Sequence, residues 1–325
     1  MKKTGMILFI LLLMLSLSTG CSNQENSITE SNNTTDNNLE QISNKASQSD
    51  ADMFTDRDYR TAYDENESIL IHLNGDSATA SSNSVKISGS TVQITEEATY
   101  IISGTLNNGI ILVDAEDTAK LQIVLNGVSI TNESSAALYI LSADKVFVTL
   151  AEGTENTLAN GGSFIAIDEN NIDAVVFSKQ DLTFNGTGNL IITSPNGNGI
   201  VGKDDLVFTG GNYTINTSSH GIEANDSVRI TGTTQITVDA GKDGIHCENN
   251  DDTSLGFIYI SAGTLNIEAE GDGISASAYM QIVDGTFSVL AGGGSENGSS
   301  QSSNTWGAFM GGDMPPGQQS SSNTA

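Results

Sequence analysis

The chain has 325 residues, with 12 Lys and Arg against 40 Asp and Glu and a net charge of −28. A surface this acidic excludes nucleic acid and bare polyanions as direct partners, since both need clustered cations. It suits divalent cations, above all calcium, which prefers oxygen ligands.

The N-terminus opens with Lys2 and Lys3, followed by an apolar run from Met6 to Leu17. That run has the size of a signal-peptide core and is too short to span a bilayer. It ends in Leu17-Ser18-Thr19-Gly20-Cys21. This resembles the lipobox of bacterial lipoproteins, with Ser18 where that box most often has Leu. Residues 1–20 are therefore expected to be removed and Cys21 lipidated, placing the rest of the chain on the extracellular face of the membrane. The mature charge becomes 10 − 40 = −30, since Lys2 and Lys3 are lost and no acid is. With Cys21 acylated, Cys247 has no intrachain partner and no disulfide framework is available.

Residues 21–55 are rich in Ser, Asn, Gln, Thr and Glu and predict a disordered tether that cannot bury enough apolar surface to fold. From 56 to 291 short alternating runs recur, such as Thr91-Val92-Gln93-Ile94 and Leu121-Gln122-Ile123-Val124-Leu125, separated by Gly- and Asn-rich turns. Residues 292–325 form a Gly/Ser/Asn/Gln-rich low-complexity tail containing Met314-Pro315-Pro316 and the only tryptophan, Trp306.

The organising feature is an internal repeat. Gly199-Ile200 through Gly210 aligns without a gap on Gly221-Ile222 through Gly232, and the unit returns at Gly244-Ile245 and Gly273-Ile274. A looser copy starts at Ala174-Val175. Repeats of about 22 residues with two or three short strands predict an all-β, right-handed parallel β-helix of about eight coils. Ile, Leu and Val should stack inward as ladders and Gly should take the tight corners.

Several phrases carry a family resemblance: Asp58-Tyr59-Arg60-Thr61-Ala62-Tyr63-Asp64-Glu65, Leu125-Asn126-Gly127-Val128-Ser129-Ile130, Leu150-Ala151-Glu152-Gly153-Thr154-Glu155-Asn156-Thr157-Leu158, Phe177-Ser178-Lys179-Gln180-Asp181-Leu182, and the Gly-Ile-x-x-x-Asp coils. Together they resemble a family of secreted bacterial carbohydrate-binding β-helix domains, related in shape to pectate lyases. The resemblance implies calcium binding and attachment to cellulosic or pectic polysaccharide. His220 and Gln180 depart from the family, which prefers Asp or Asn at the first and Asp at the second. Members continue past a segment like 292–325, so the chain is expected to be a truncated copy.

Two columns of the stack could hold calcium. One precedes each Gly-Ile pair and contains Asp173, Asn198, His220, Asp243 and Asp272; the other holds Asp181, Asp204, Asp205 and Asp226. Stacked carboxylates repel unless a cation or protons intervene. The competing reading makes each Asp or Asn a turn former that caps backbone groups. The Glu248–Asp252 insertion reads as a solvated loop. Lys179 and Lys203 align beside the second column and are the only candidate bases for a lyase, or else neutralise their acidic neighbours. His72, His220 and His246 lack zinc spacing. For sugar contact, Tyr213, Tyr259 and Tyr279 fall at strand positions and Lys203 lies nearby. The reading is a non-catalytic, lipid-anchored, calcium-dependent polysaccharide binder. The alternatives are a pectate lyase or a structural, adhesive solenoid.

Overall fold

The computed structural model describes residues 48–292. Cys21, the signal segment and the low-complexity tail with Trp306 lie outside the described residues. The chain winds into a parallel β-helix with three faces. The first face is a nine-stranded sheet that includes Ala174–Ser178, Asn198–Gly202 and Ile222–Ala224. A sixteen-stranded sheet supplies the other two. Asp181–Gly186 and Asp205–Phe208 belong to the second face, and Asn189–Ser194 and Asn212–Thr217 to the third. The thirteen-residue strand Lys120–Asn132 joins them, pairing through its first half with Lys145–Leu150 and through its second with Glu155–Asn160.

The expected ladders are present. Val92, Ile111, Leu138, Val176, Ile200, Ile222, Ile245 and Ile274 stand in register through eight successive strands of the first face. All but Ile274 are buried, and each buried side chain contributes about 1.5–3 kcal/mol relative to exposure. The neighbouring ladder carries smaller residues, Gly202, Ala224, Cys247 and Ala276. Cys247 is a free, buried thiol whose pKa burial pushes up to about 12.

Gly232, with φ +68°, takes the corner role expected of it, whereas the glycine of each Gly-Ile pair serves another. A Cβ on Gly199 would lie 2.5 Å from the Gly221 carbonyl oxygen, and one on Gly221 would lie 2.5 Å from that of Gly244. These glycines are required because one coil's backbone rests directly on the next.

The end of the expected tether is folded. Asp50–Met53 form one helical turn, and Met53 and Phe54 are buried against Val207, Phe257 and Tyr259. Residues 48–63 run as a strap over the outer side of the second face. Gln48 exchanges hydrogen bonds with Gln281, Tyr259 donates to Asp50, Arg229 donates to the Met53 carbonyl and Thr183 donates to Asp58. Asp58 is 1% exposed, and Lys145 Nζ sits 3.0 Å from its carboxylate. Burial alone would raise the Asp58 carboxyl, but hydrogen bonds from Thr183 and Thr55 and the Lys145 charge hold it below the usual range. Composition concealed this order, because the segment docks on a preformed surface through few buried apolar side chains, Met53 and Phe54, and through hydrogen bonds.

Two of the tyrosines chosen for sugar contact are thereby corrected. Tyr213 points into the bore, 2% exposed, packed edge-on against Phe184 and Phe208 and donating to the Gly210 carbonyl. Tyr259 is 1% exposed beneath Phe54 and the strap. Neither can stack on a glycan. Tyr279 is half-buried and stacked flat on Phe257 at 4.9 Å.

Candidate functional site

Where the first face turns into the second, the coils from Ala174 to Ile230 spend two residues on each corner, and stacking aligns those corners. Asp181 lies in register with Lys145, and Asp205 with Ser227. Carboxylate oxygens of Asp181, Asp204 and Asp205 lie within 4.8 Å of one another. Burial, then the Asp205 charge, raises the Asp181 pKa to about 6 against the pull of Lys145, whose Nζ is 3.9 Å away. Asp204 is raised as well, by burial and then by Asp226 and Asp205. Arg229 at 2.6 Å and the Ser227 hydroxyl at 2.6 Å both bond Asp205. Asp226 extends the column one coil further and accepts from Asn249 at 3.0 Å. Three clustered carboxyl groups, two of them resisting ionisation, form a hard-oxygen set that a calcium ion fits.

Beside this corner the strap closes one side of a cleft of about 400 Å³. Arg57, Arg60, Lys120 and Lys145 line it together with Thr55, Phe147 and three acids, Glu97, Asp144 and Asp181. Lys120 pairs with Asp144 at 3.1 Å. Arg57 stacks over the Phe147 ring at 4.7 Å, and its Nη1 is buried with no hydrogen-bond partner. A buried guanidinium nitrogen left unsatisfied is costly, and an incoming carboxylate would satisfy it. Sequence reasoning missed this cleft because Arg57 and Arg60 come from the strap and the lysines from distant coils. The one legible signal was the gathering of cations into a chain that has few.

The column before each Gly-Ile pair lies on another corner. There Asn198 Oδ1 accepts from the His220 amide at 2.9 Å, and Asp243 Oδ1 accepts from the Asp272 amide at 2.8 Å. These are coil-to-coil caps, the turn-forming role weighed for this column. Asp173 stands apart. Burial and then Glu223 raise its pKa, and its Oδ1 has no hydrogen-bond partner. Asp272 is exposed.

Lys203 leans over the Phe177 ring at 5.7 Å and reaches Glu223 at 3.5 Å. It is directed toward the first face, and the cations at the carboxylate cluster are Lys145 and Arg229. The three histidines are not all scattered: His220 and His246 stack at 4.7 Å with Asp243 beside both, while His72 contacts Ser103. Coil stacking supplies the proximity that linear spacing lacks. His220 is harder to protonate than an exposed histidine because of burial and then His246.

The family described as carbohydrate-binding domain-containing protein matches residues 88–313. A protein of that description from Acetivibrio thermocellus is 36% identical over 211 residues, covering 64% of this chain and 73% of the relative. The solved structure of a polysaccharide lyase-like protein from C. thermocellum, a gadolinium derivative, is similar with a TM-score of 0.63 at 31% identity. The match covers 68% of this chain and 100% of that one.

Proposed function

Because the chain belongs to the family of carbohydrate-binding domain-containing proteins, we propose that its solenoid retains an acidic, pectic-type polysaccharide through calcium without cleaving it. The observation that carries this reading is the adjacency of two charge clusters. Asp181, Asp204 and Asp205 supply hard oxygens for calcium, and the cleft bearing Arg57, Arg60, Lys120 and Lys145 shares Asp181 and Lys145 with that corner. Three carboxylates leave part of a calcium shell open, since the ion takes six to eight oxygens. Uronate carboxylates would complete it, and the cationic cleft would receive those further along the polymer. This lets a protein of net charge −28 hold a polyanion. A lipid at Cys21 would display the solenoid outside the cell.

The test is retention on polygalacturonate and on cellulose, with calcium and then with chelator, alongside thermal melting. Calcium should raise the melting temperature and permit retention on polygalacturonate. Asp204→Asn should reduce both, whereas Arg57→Ala should reduce retention alone. Calcium-independent retention, or no effect of either variant, would sink the proposal. Release of unsaturated, ultraviolet-absorbing product would replace it with a lyase.

A further inference from the structure

We propose that His220, Asp243 and His246 form a second metal site, selective for a zinc-type transition ion rather than calcium. One ligand atom from each lies within 4.8 Å of the others. Asp243 Oδ2 is 2.9 Å from His246 Nδ1 and 3.6 Å from His220 Nδ1. Donors around a tetrahedral ion with bonds of ~2.0–2.1 Å are separated by about 3.3 Å, which these distances bracket.

The surroundings are those of a ligand set. Asp243 Oδ1 accepts from the Asp272 amide at 2.8 Å, which orients the carboxylate and leaves Oδ2 toward the rings. His246 Nε2 contacts Glu248 Oε2 at 3.4 Å. A proton on Nε2, donated to Glu248, leaves the Nδ1 lone pair for a metal, the carboxylate–histidine–metal arrangement. That Nδ1 is buried and makes no hydrogen bond, despite the Asp243 oxygen 2.9 Å away. His220 Nδ1 takes only a long 3.3 Å contact from the Asp243 amide. In that tautomer two ring lone pairs and one carboxylate oxygen repel one another until a cation lies among them. A cleft of about 250 Å³, lined by Glu223, His246, Glu248 and Asn249, adjoins the cluster on the His246 side.

Donor softness separates this site from the corner at Asp181. Two imidazoles and one carboxylate suit zinc, copper or nickel, whereas calcium prefers an all-oxygen set. The inference therefore stands independently of the proposed glycan chemistry.

The experiment titrates the full chain, stripped with chelator and then held in excess calcium, with zinc followed by calorimetry and with cobalt followed by visible absorption. Wild type should bind one ion per chain and give tetrahedral cobalt bands with nitrogen ligation. His220→Asn and His246→Gln should each weaken zinc by about tenfold or more. Asn198 already occupies the column position of His220 one coil earlier, so His220→Asn should retain the fold, as circular dichroism in chelator would verify. Equal zinc binding by wild type and both variants would overturn the site, as would full displacement by calcium.

Discussion

In the metal-free protein at pH 7, Asp181→Asn should stabilise the solenoid, while in excess calcium the same change should blunt the response to the metal. The Asp181 carboxyl rises from 3.8 to about 6, through burial and then the Asp205 charge. At ~1.4 kcal/mol per pKa unit this is at most about 3 kcal/mol of unfavourable free energy when the group is ionised. The side chain keeps 30% exposure and approaches Lys145 at 3.9 Å. Screening and the lost Lys145 attraction reduce the expected gain to about 1–2 kcal/mol, or about 3–6 °C in melting temperature for a domain of this size. The sign with pH follows from linkage. A raised carboxyl binds its proton more tightly in the folded state, so its penalty is full above about pH 6 and vanishes below the unfolded value of 3.8. Wild type in chelator should therefore gain stability from this group as pH falls from 7 toward 5, and Asp181→Asn should show a smaller gain. In calcium the wild-type profile should flatten, because metal and proton compete for one carboxylate. Melting curves in chelator and in calcium at both pH values measure all of this. A variant less stable than wild type in chelator at pH 7, or one with an undiminished calcium shift, would refute the reasoning.

Three further outcomes are expected. Gly221→Ala places a Cβ 2.5 Å from the Gly244 carbonyl oxygen, so the coils must part and stability should fall by about 2–3 kcal/mol in urea unfolding; a neutral result would mean the coils can slide. Asp58→Ala leaves Lys145, 14% exposed, with only the longer 3.9 Å contact to Asp181 and should cost about 3 kcal/mol, with faster hydrogen exchange over residues 48–63 as the check. The stability that Asp58 contributes is present above its unfolded pKa and is lost as pH falls through its depressed folded value. Cys247, buried with a pKa near 12, should ignore a thiol reagent in the native protein and react stoichiometrically in denaturant.

The solenoid was legible because its signal is repeated. Ile200, Ile222, Ile245 and Ile274 recur at the same place in a gapless pattern, and the eight-strand ladder follows from their stacking. The acidic corner was legible for the same reason, since Asp204 and Asp226 occupy equivalent positions in consecutive repeats. What escaped was whatever the period does not govern. Tyr213 alternates with polar residues as an exposed strand residue would, yet it takes the inward position beside Ile236 and Leu190. Alternation alone does not say which set faces the bore. His220 and His246 are 26 residues apart, one coil plus a step along the strand, outside the short spacings of structural zinc motifs.

The strap decides which surfaces remain for a glycan. On the second face the outward column Gln122, Phe147, Thr183, Val207, Arg229, Tyr259 and Gln281 is engaged, residue after residue, by residues 48–61. Its polar groups are bonded by the strap, and a polymer could reach them only by displacing buried Met53, Phe54 and Asp58. On the first face Tyr139 and Phe177 pack against each other, and Tyr139 bonds Asp168 and Asn170 from the 161–173 loop. The third face stays open, with Thr214, Thr237, Asn266 and Ser288 exposed in register across four coils. An extended polymer that meets calcium at the Asp181 corner therefore has the cationic cleft at the strap's edge as its adjacent charged surface. It would need to leave the corner to reach the uncharged ladder of the third face. If the third face were the main contact, variants of Arg57 and Asp204 would leave retention intact while Thr214→Tyr and Thr237→Tyr abolished it; the charged corner predicts the reverse.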